Sequence, residues 1–99
     1  MLNINKKQDG AALTIALEGR LDTTTAPELE QELKASMSGV TELTFDMTGL
    51  EYISSAGLRV LLTAHKTMMK QGQMKITHVT EVVQEVFDVT GFSDILTIE

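Results

Sequence analysis

Apolar residues in this chain change their period, from every second residue to every third or fourth and back, and that alternation leaves few folds open. Leu2-Asn3-Ile4-Asn5 and Leu13-Thr14-Ile15-Ala16-Leu17 alternate apolar with polar, the pattern of half-buried strands. Leu29, Leu33 and Met37 then recur at intervals of four, a stripe along one side of a helix. Period two returns from Val40 to Met47, with Leu43 and Phe45 on one side. A second helical stretch runs to about Gln71, and Met74 to Val79 alternates again. A third helix places Val82, Val83, Val86 and Phe87 on one face, and Ile95 to Ile98 reads as a last short strand. The expected order is β-β-α-β-α-β-α-β. Strands joined through helices run parallel, so the reading is an α/β fold: a mixed, mostly parallel sheet with an N-terminal β-hairpin.

The joints carry matching signals. Asp9-Gly10 is a hairpin turn, because glycine accepts the positive φ that a type I′ turn demands. Thr25-Ala26-Pro27-Glu28 has the form of a capping box with proline in the first turn. Ser38-Gly39 stops the first helix, Gly72 the second and Gly91 the third. Thr48-Gly49-Leu50-Glu51 reads as a loop, after which Ser54-Ser55 offers a side-chain oxygen to cap the second helix, and Thr80 does so for the third. No internal repeat or linker interrupts the 99 residues, which are expected to make one domain.

Several function classes find no support. With 42% apolar and 22% charged residues the composition is that of a folded domain. A net charge of −6 and scattered Lys and Arg argue against binding a nucleic-acid backbone. No apolar run approaches the ~18 residues that span a bilayer, and the N-terminus has no signal-peptide core. Cysteine is absent, and His65 and His78 lie far apart with no metal-ligand spacing, so no metal or cofactor is expected. His65 reads as a partly buried packing residue and His78 as a surface one. Six methionines could form an adaptable binding surface, but Met68 and Met69 sit at core spacing on a helix, which favours packing. No phosphate-binding glycine loop follows a strand, and Ser54-Ser55-Ala56-Gly57 lacks the spacing of a hydrolase elbow, so an enzyme is not expected. These features suit a cytoplasmic protein steered toward a basic surface on a partner.

The second helix stands out. On a wheel at 100° per residue, Ala56, Leu58, Val60, Leu61, Leu62, Ala64, His65, Met68 and Met69 span an arc of roughly 240°, where docking on a sheet needs little over 100°. Either neighbouring helices cover the flanks or part of the arc is a patch for a partner. At its start, Ser54 and Ser55 sit on free backbone N–H groups and the positive end of the helix dipole, which favour an anion. A plain serine cap accounts for the same residues. Gly57 lets the backbone be closely approached.

The run Asp46-Met47-Thr48-Gly49-Leu50-Glu51-Tyr52-Ile53-Ser54-Ser55-Ala56-Gly57-Leu58-Arg59-Val60-Leu61 resembles the signature of STAS domains, specifically bacterial anti-sigma factor antagonists. That signature is a strand ending in Asp, a short loop, an aromatic, an aliphatic, then Asp-Ser-[Ser/Thr/Ala]-Gly-Leu opening a helix. Gly19-Arg20-Leu21-Asp22, Lys70-Gln71-Gly72 and Phe87-Asp88-Val89-Thr90-Gly91-Phe92 fit in the same order, so the likeness covers nearly all of residues 1–99 as a single STAS domain. Ser54 stands where the signature has Asp.

The resemblance implies a partner-switching protein without catalytic activity. In that family the antagonist binds a serine-kinase anti-sigma factor when unmodified and releases it when phosphorylated, and a serine phosphatase resets it. By position the phosphoacceptor is Ser55, with Ser54 as second choice. The partner surface implied is Asp22, Asp46, Ser54, Ala56, Gly57, Leu58 and Arg59, with both aspartates near the helix start. The protein is expected to be a monomer or weak dimer. The alternative is a constitutive STAS-fold scaffold, such as an accessory subunit of a lipid transporter, whose serine only caps the helix.

Overall fold

Gly10 takes φ 62°, and the chain reverses there. In the computed structural model, which describes residues 2–99, strand β1 (Leu2–Asp9) pairs antiparallel with β2 (Ala12–Leu21), from Leu2 opposite Gly19 to Asp9 opposite Ala12. Then follow α1 (Ala26–Ser36), β3 (Glu42–Ile53), α2 (Ser55–Gln71), β4 (Gln73–Thr77), α3 (Glu81–Thr90) and a short 3-10 turn at Phe92–Asp94. The sheet order is β1-β2-β3-β4, with β2, β3 and β4 mutually parallel. The mixed α/β sheet with an antiparallel opening hairpin is the architecture the periodicity predicts.

Two strand boundaries differ from expectation. Ile95–Ile98 does not form a strand; Ile76 and Ile98 make a single parallel bridge. The 3-10 turn uses Phe92 to accept the amides of Ile95 and Leu96, and Leu96 is drawn into the core. Too few residues are then left to run along the five-residue β4. At the other boundary, β3 continues through Thr48-Gly49-Leu50-Glu51 to Ile53 instead of looping. Its register against β2 slips between Ala16 and Glu18 and again between Gly19 and Arg20, so β3 spends extra residues in bulges. Glycine is required at position 49 because a Cβ there would lie 2.7 Å from Cγ of Glu18.

The core lies between one face of the sheet and the helices. Leu13, Ile15 and Leu17 of β2 meet Leu43, Phe45 and Met47 of β3, with Leu29 and Leu33 of α1 and Leu61, Ala64 and Met68 of α2 in the same cluster. Lys6, on that face of β1, reaches α1 at Glu32 (2.6 Å) and Ser36 (3.1 Å). The opposite face carries Asn3, Asn5, Lys7, Thr14, Glu18 and Arg20, all exposed. Parallel strands are usually covered on both faces; here β2 and β3 alternate as one-sided strands do.

The wide apolar arc of α2 is accounted for by packing. Leu58, Val60, Leu61, Ala64 and Met68 are buried against the sheet and α1, and Ala56, Leu62 and His65 are half-buried. Met69 is the exception to the predicted core spacing, at 71% exposed. In α3 the buried residues are Val83 and Phe87, four apart; Val82 stands about 100° off that line and faces solvent.

Candidate functional site

The last rung of the β2–β3 ladder pairs Leu21 with Ile53, and it fixes where α2 begins. The Ser54 amide donates to the Leu21 carbonyl (2.9 Å), holding the chain to the sheet for one more residue. Ser54 is extended (φ −98°, ψ 175°), and its Oγ accepts from the Gly57 amide at 3.4 Å. Its carbonyl accepts the Leu58 amide at 2.9 Å. Ser54 is the helix cap. Ser55, the first helical residue, is exposed, and among the described residues its hydroxyl has no hydrogen-bond partner within the chain. The two serines therefore occupy different situations: one hydroxyl is used by the fold, the other faces solvent.

Gly57, two residues after Ser55, is buried, and its lack of a side chain serves packing. A Cβ would lie 2.7 Å from Cγ of Leu21 and 2.9 Å from Cγ1 of Ile53. Gly57→Ala is expected to destabilise the domain by about 1–2 kcal/mol, because overpacking outweighs the ~1 kcal/mol helix preference of alanine. Urea unfolding checks this, and a variant more stable than the parent would show that the helix start is not seated as described.

Asp22 follows Leu21 and is locked by its own turn. Its Oδ1 accepts from the Thr24 hydroxyl (2.9 Å), the Thr24 amide (3.0 Å) and the Thr25 amide (3.1 Å). The Thr24 hydroxyl, followed by the backbone amides, holds this carboxyl below the usual carboxylate range against the opposing effect of desolvation. The capping box expected at Thr25 does not form. The Thr25 hydroxyl instead accepts from the Asp22 amide (2.9 Å) and donates to the Arg20 carbonyl (2.8 Å), and the Asp22 carbonyl takes the Ala26 amide. The side-chain oxygen that orders the entry to α1 belongs to Asp22.

Asp46 lies elsewhere. It is in the middle of β3, between Ala16 of β2 and Thr77 of β4. At about 3.3 Å per residue, the seven residues to Ile53 separate it from the helix start by roughly 20 Å of strand. Its Oδ1 accepts from the Thr48 hydroxyl (2.6 Å) and amide (3.0 Å), with His78 Nδ1 at 3.6 Å. The Thr48 hydroxyl is the main reason its carboxyl sits below the ordinary range. The structure thus places Asp22 directly after Leu21, whose carbonyl holds the Ser54 amide, and leaves Asp46 with His78.

Of the remaining residues, Arg59 is exposed, Ala56 is half-buried, and Leu58 is buried beneath them. Two further groups belong here that the sequence did not single out. The Arg20 guanidinium lies 4.4 Å from the centroid of the Tyr52 ring, with Nε 3.9 Å from Oδ2 of Asp22. Arg20 faces Tyr52 only because the bulges shift the register, so no local pattern announces the pair. The chain has two arginines, Arg20 and Arg59, and both belong to the segments that meet at this helix start.

No group of three or more His, Asp or Glu able to hold a metal exists among the described residues. A cleft of about 550 Å³ opens at the other end of the parallel strands, lined by Ala12, Glu42, Gln73, Met69 and Met74, away from Ser55. No helix among the described residues is long and apolar enough to cross a membrane.

The chain matches the STAS domain family over residues 3–99. BtrV of Bordetella bronchiseptica, a candidate anti-sigma factor antagonist, is 38% identical over 91 residues, covering 90% of this chain and 78% of that one. The anti-sigma-B factor antagonist of Bacillus subtilis is 29% identical over 98 residues, covering 98% and 90%. The fold superposes on that of the Bacillus anti-sigma factor antagonist SpoIIAA. Its unphosphorylated form has a TM-score of 0.85 at 16% identity over 98% of this chain and 88% of that one, and its phosphorylated form 0.77 at 15% over 98% and 91%. The chain belongs to the STAS domain family, among relatives named as bacterial anti-sigma factor antagonists.

Proposed function

We propose that this protein is an anti-sigma factor antagonist that switches partners through phosphorylation of Ser55. Unmodified, it binds a serine-kinase anti-sigma factor in the cytoplasm and so frees a sigma factor. The kinase transfers the γ-phosphoryl group of ATP to Ser55: an Oγ–P bond forms, the bond to ADP breaks, and the hydroxyl proton passes to a base of the kinase. A serine phosphatase restores the hydroxyl by adding water across the Oγ–P bond and releasing inorganic phosphate. The protein itself is the substrate and the bound partner, not a catalyst.

The observation that carries the reading is the contrast between the two serines. A kinase needs a hydroxyl that can enter its active site. Ser55 is exposed and, among the described residues, its hydroxyl is unbonded, while the Ser54 oxygen holds the Gly57 amide. Support also comes from the names of the relatives and from the fact that SpoIIAA takes this fold in both phosphorylation states. Arg20, Asp22 and Arg59 are proposed to contact the partner, together with Ser54, Ala56, Gly57 and Leu58 at the start of the helix, of which Gly57 and Leu58 are buried. Asp46, further along the strand, is proposed to contact the partner's periphery.

The test is incubation with the serine-kinase anti-sigma factors of the same genome and ATP, followed by mass-spectrometric site mapping. Phosphate is expected on Ser55, and none after Ser55→Ala. Phosphate confined to Ser54 would move the switch to the capping residue. No phosphate with any of these kinases would favour the constitutive scaffold.

A further inference from the structure

The second turn of α2 carries a cation that is left unpaired among the described residues. Arg59 is exposed, and among the described residues it makes no ion pair and its guanidinium no hydrogen bond. It lies four residues after Ser55 in the same continuous helix. Residues four apart share a helix face, with Cβ atoms about 5–6 Å from one another. Side chains also lean toward the helix N-terminus, so a long one at position 59 reaches back over position 55. The more favourable order of such pairs places the anion first and the cation second. Serine itself gives Arg59 nothing to pair with; a phosphoryl group at Ser55 would.

We propose that Arg59 is the intramolecular partner of the phosphoryl group on Ser55, forming an i,i+4 guanidinium–phosphate pair that exists only in the modified protein. Guanidinium suits this role because its fork of donors matches two phosphate oxygens, where lysine offers a point charge. All six lysines lie elsewhere, the nearest in sequence after Ser55 being Lys66. The pair would have two effects. It would hold the phosphoryl group as a dianion at neutral pH, and it would withdraw Arg59 from the surface offered to a partner. Modification would then remove a positive charge from the docking face as well as adding a negative one. The other charged groups carried by adjoining residues are Glu51, Asp22 and Arg20, and Asp22 is already engaged by the Thr24 hydroxyl and Arg20 by the Tyr52 ring.

This inference rests on Ser55 as the modified residue, and the experiment separates the two ideas by not using a kinase. Phosphoserine is placed at position 55 during translation, and the phosphoryl group is titrated by phosphorus NMR in the parent, in Arg59→Gln and in Arg59→Lys. The phosphoryl group ordinarily takes its second proton with a pKa of about 6. In the parent it is expected about half a pH unit below its value in Arg59→Gln, with Arg59→Lys in between. Arg59 is exposed, so the variants should fold, and their amide spectra verify it. Equal phosphoryl titration in the parent and Arg59→Gln overturns the pair. Failure of every kinase to modify Ser55 would overturn the proposed switch and leave this result standing.

Discussion

Phosphate on Ser55 is expected to weaken binding to the kinase partner by about a hundredfold or more, while Ser55→Ala binds as the unmodified protein does. The group brings about −1.5 to −2 charges at neutral pH. A partner seated on the start of α2 must desolvate that charge or face it with its own groups, and a mispaired charge at an interface costs several kcal/mol. At ~1.4 kcal/mol per tenfold, about 3 kcal/mol is a hundredfold. The structure adds that nothing in the fold has to move for this to happen. The Ser55 hydroxyl takes no part in capping, so adding to it breaks no hydrogen bond. Ser55→Asp carries a single charge on a shorter arm and is expected to lose about tenfold. Calorimetry on the three forms gives the answer. Equal affinities for the alanine and phosphorylated forms would mean that the partner does not cover position 55.

What could be read in advance follows from how local each signal is. The hairpin at Asp9-Gly10, the α/β alternation and the caps at Ser54 and Gly91 depend on residues close in sequence, and they were legible. The strand character of Thr48 to Glu51 was not, because it depends on β2 supplying a bulged register on which Gly49 passes under Glu18. The same non-local register hid the Arg20–Tyr52 pair. Thr25 misled because its motif is shared by a capping box and by a threonine that answers an upstream aspartate. Asp46 misled differently. A strand was expected to end beside it, and when the strand runs on to Ile53 the aspartate is left behind with Thr48 and His78. Ser55 was identified by resemblance, and its separation from Ser54 needed the cap geometry.

Gly72→Ala is expected to be among the most damaging single changes in the chain, although the residue is exposed and far from the site. Its backbone is extended, with φ 172°, which any residue can adopt, so the need for glycine is not conformational. It is steric. A Cβ at this position would fall inside the Thr41 carbonyl, with the Thr41 carbonyl carbon at 2.6 Å and Cα at 2.8 Å. Thr41 cannot withdraw: its amide donates to Ala11 (2.9 Å) and its carbonyl accepts the Gln73 amide (2.9 Å). Nearby, Gln71 Nε2 donates to the carbonyls of Met37 and Val40, fixing the end of α2 to the loop that leads into β3. Relief therefore requires moving α2 and β4 off β3, at the first rung where Glu42 pairs with Gln73. Overpacking against immobile backbone, together with a lost hydrogen bond, costs about 3 kcal/mol. In a domain of this size that lowers Tm by about 12–24 °C. In urea the midpoint should fall while the slope stays constant, since the surface exposed on unfolding is unchanged. The rungs at Leu21 and Ile53 that seat Ser54 lie at the other end of the sheet, so Ser55 in the folded variant should still accept phosphate at the parent rate. An unchanged melting temperature would mean that the α2–β4 junction can shift away from Thr41, and the parallel register that sets the start of β4 would have to be redrawn.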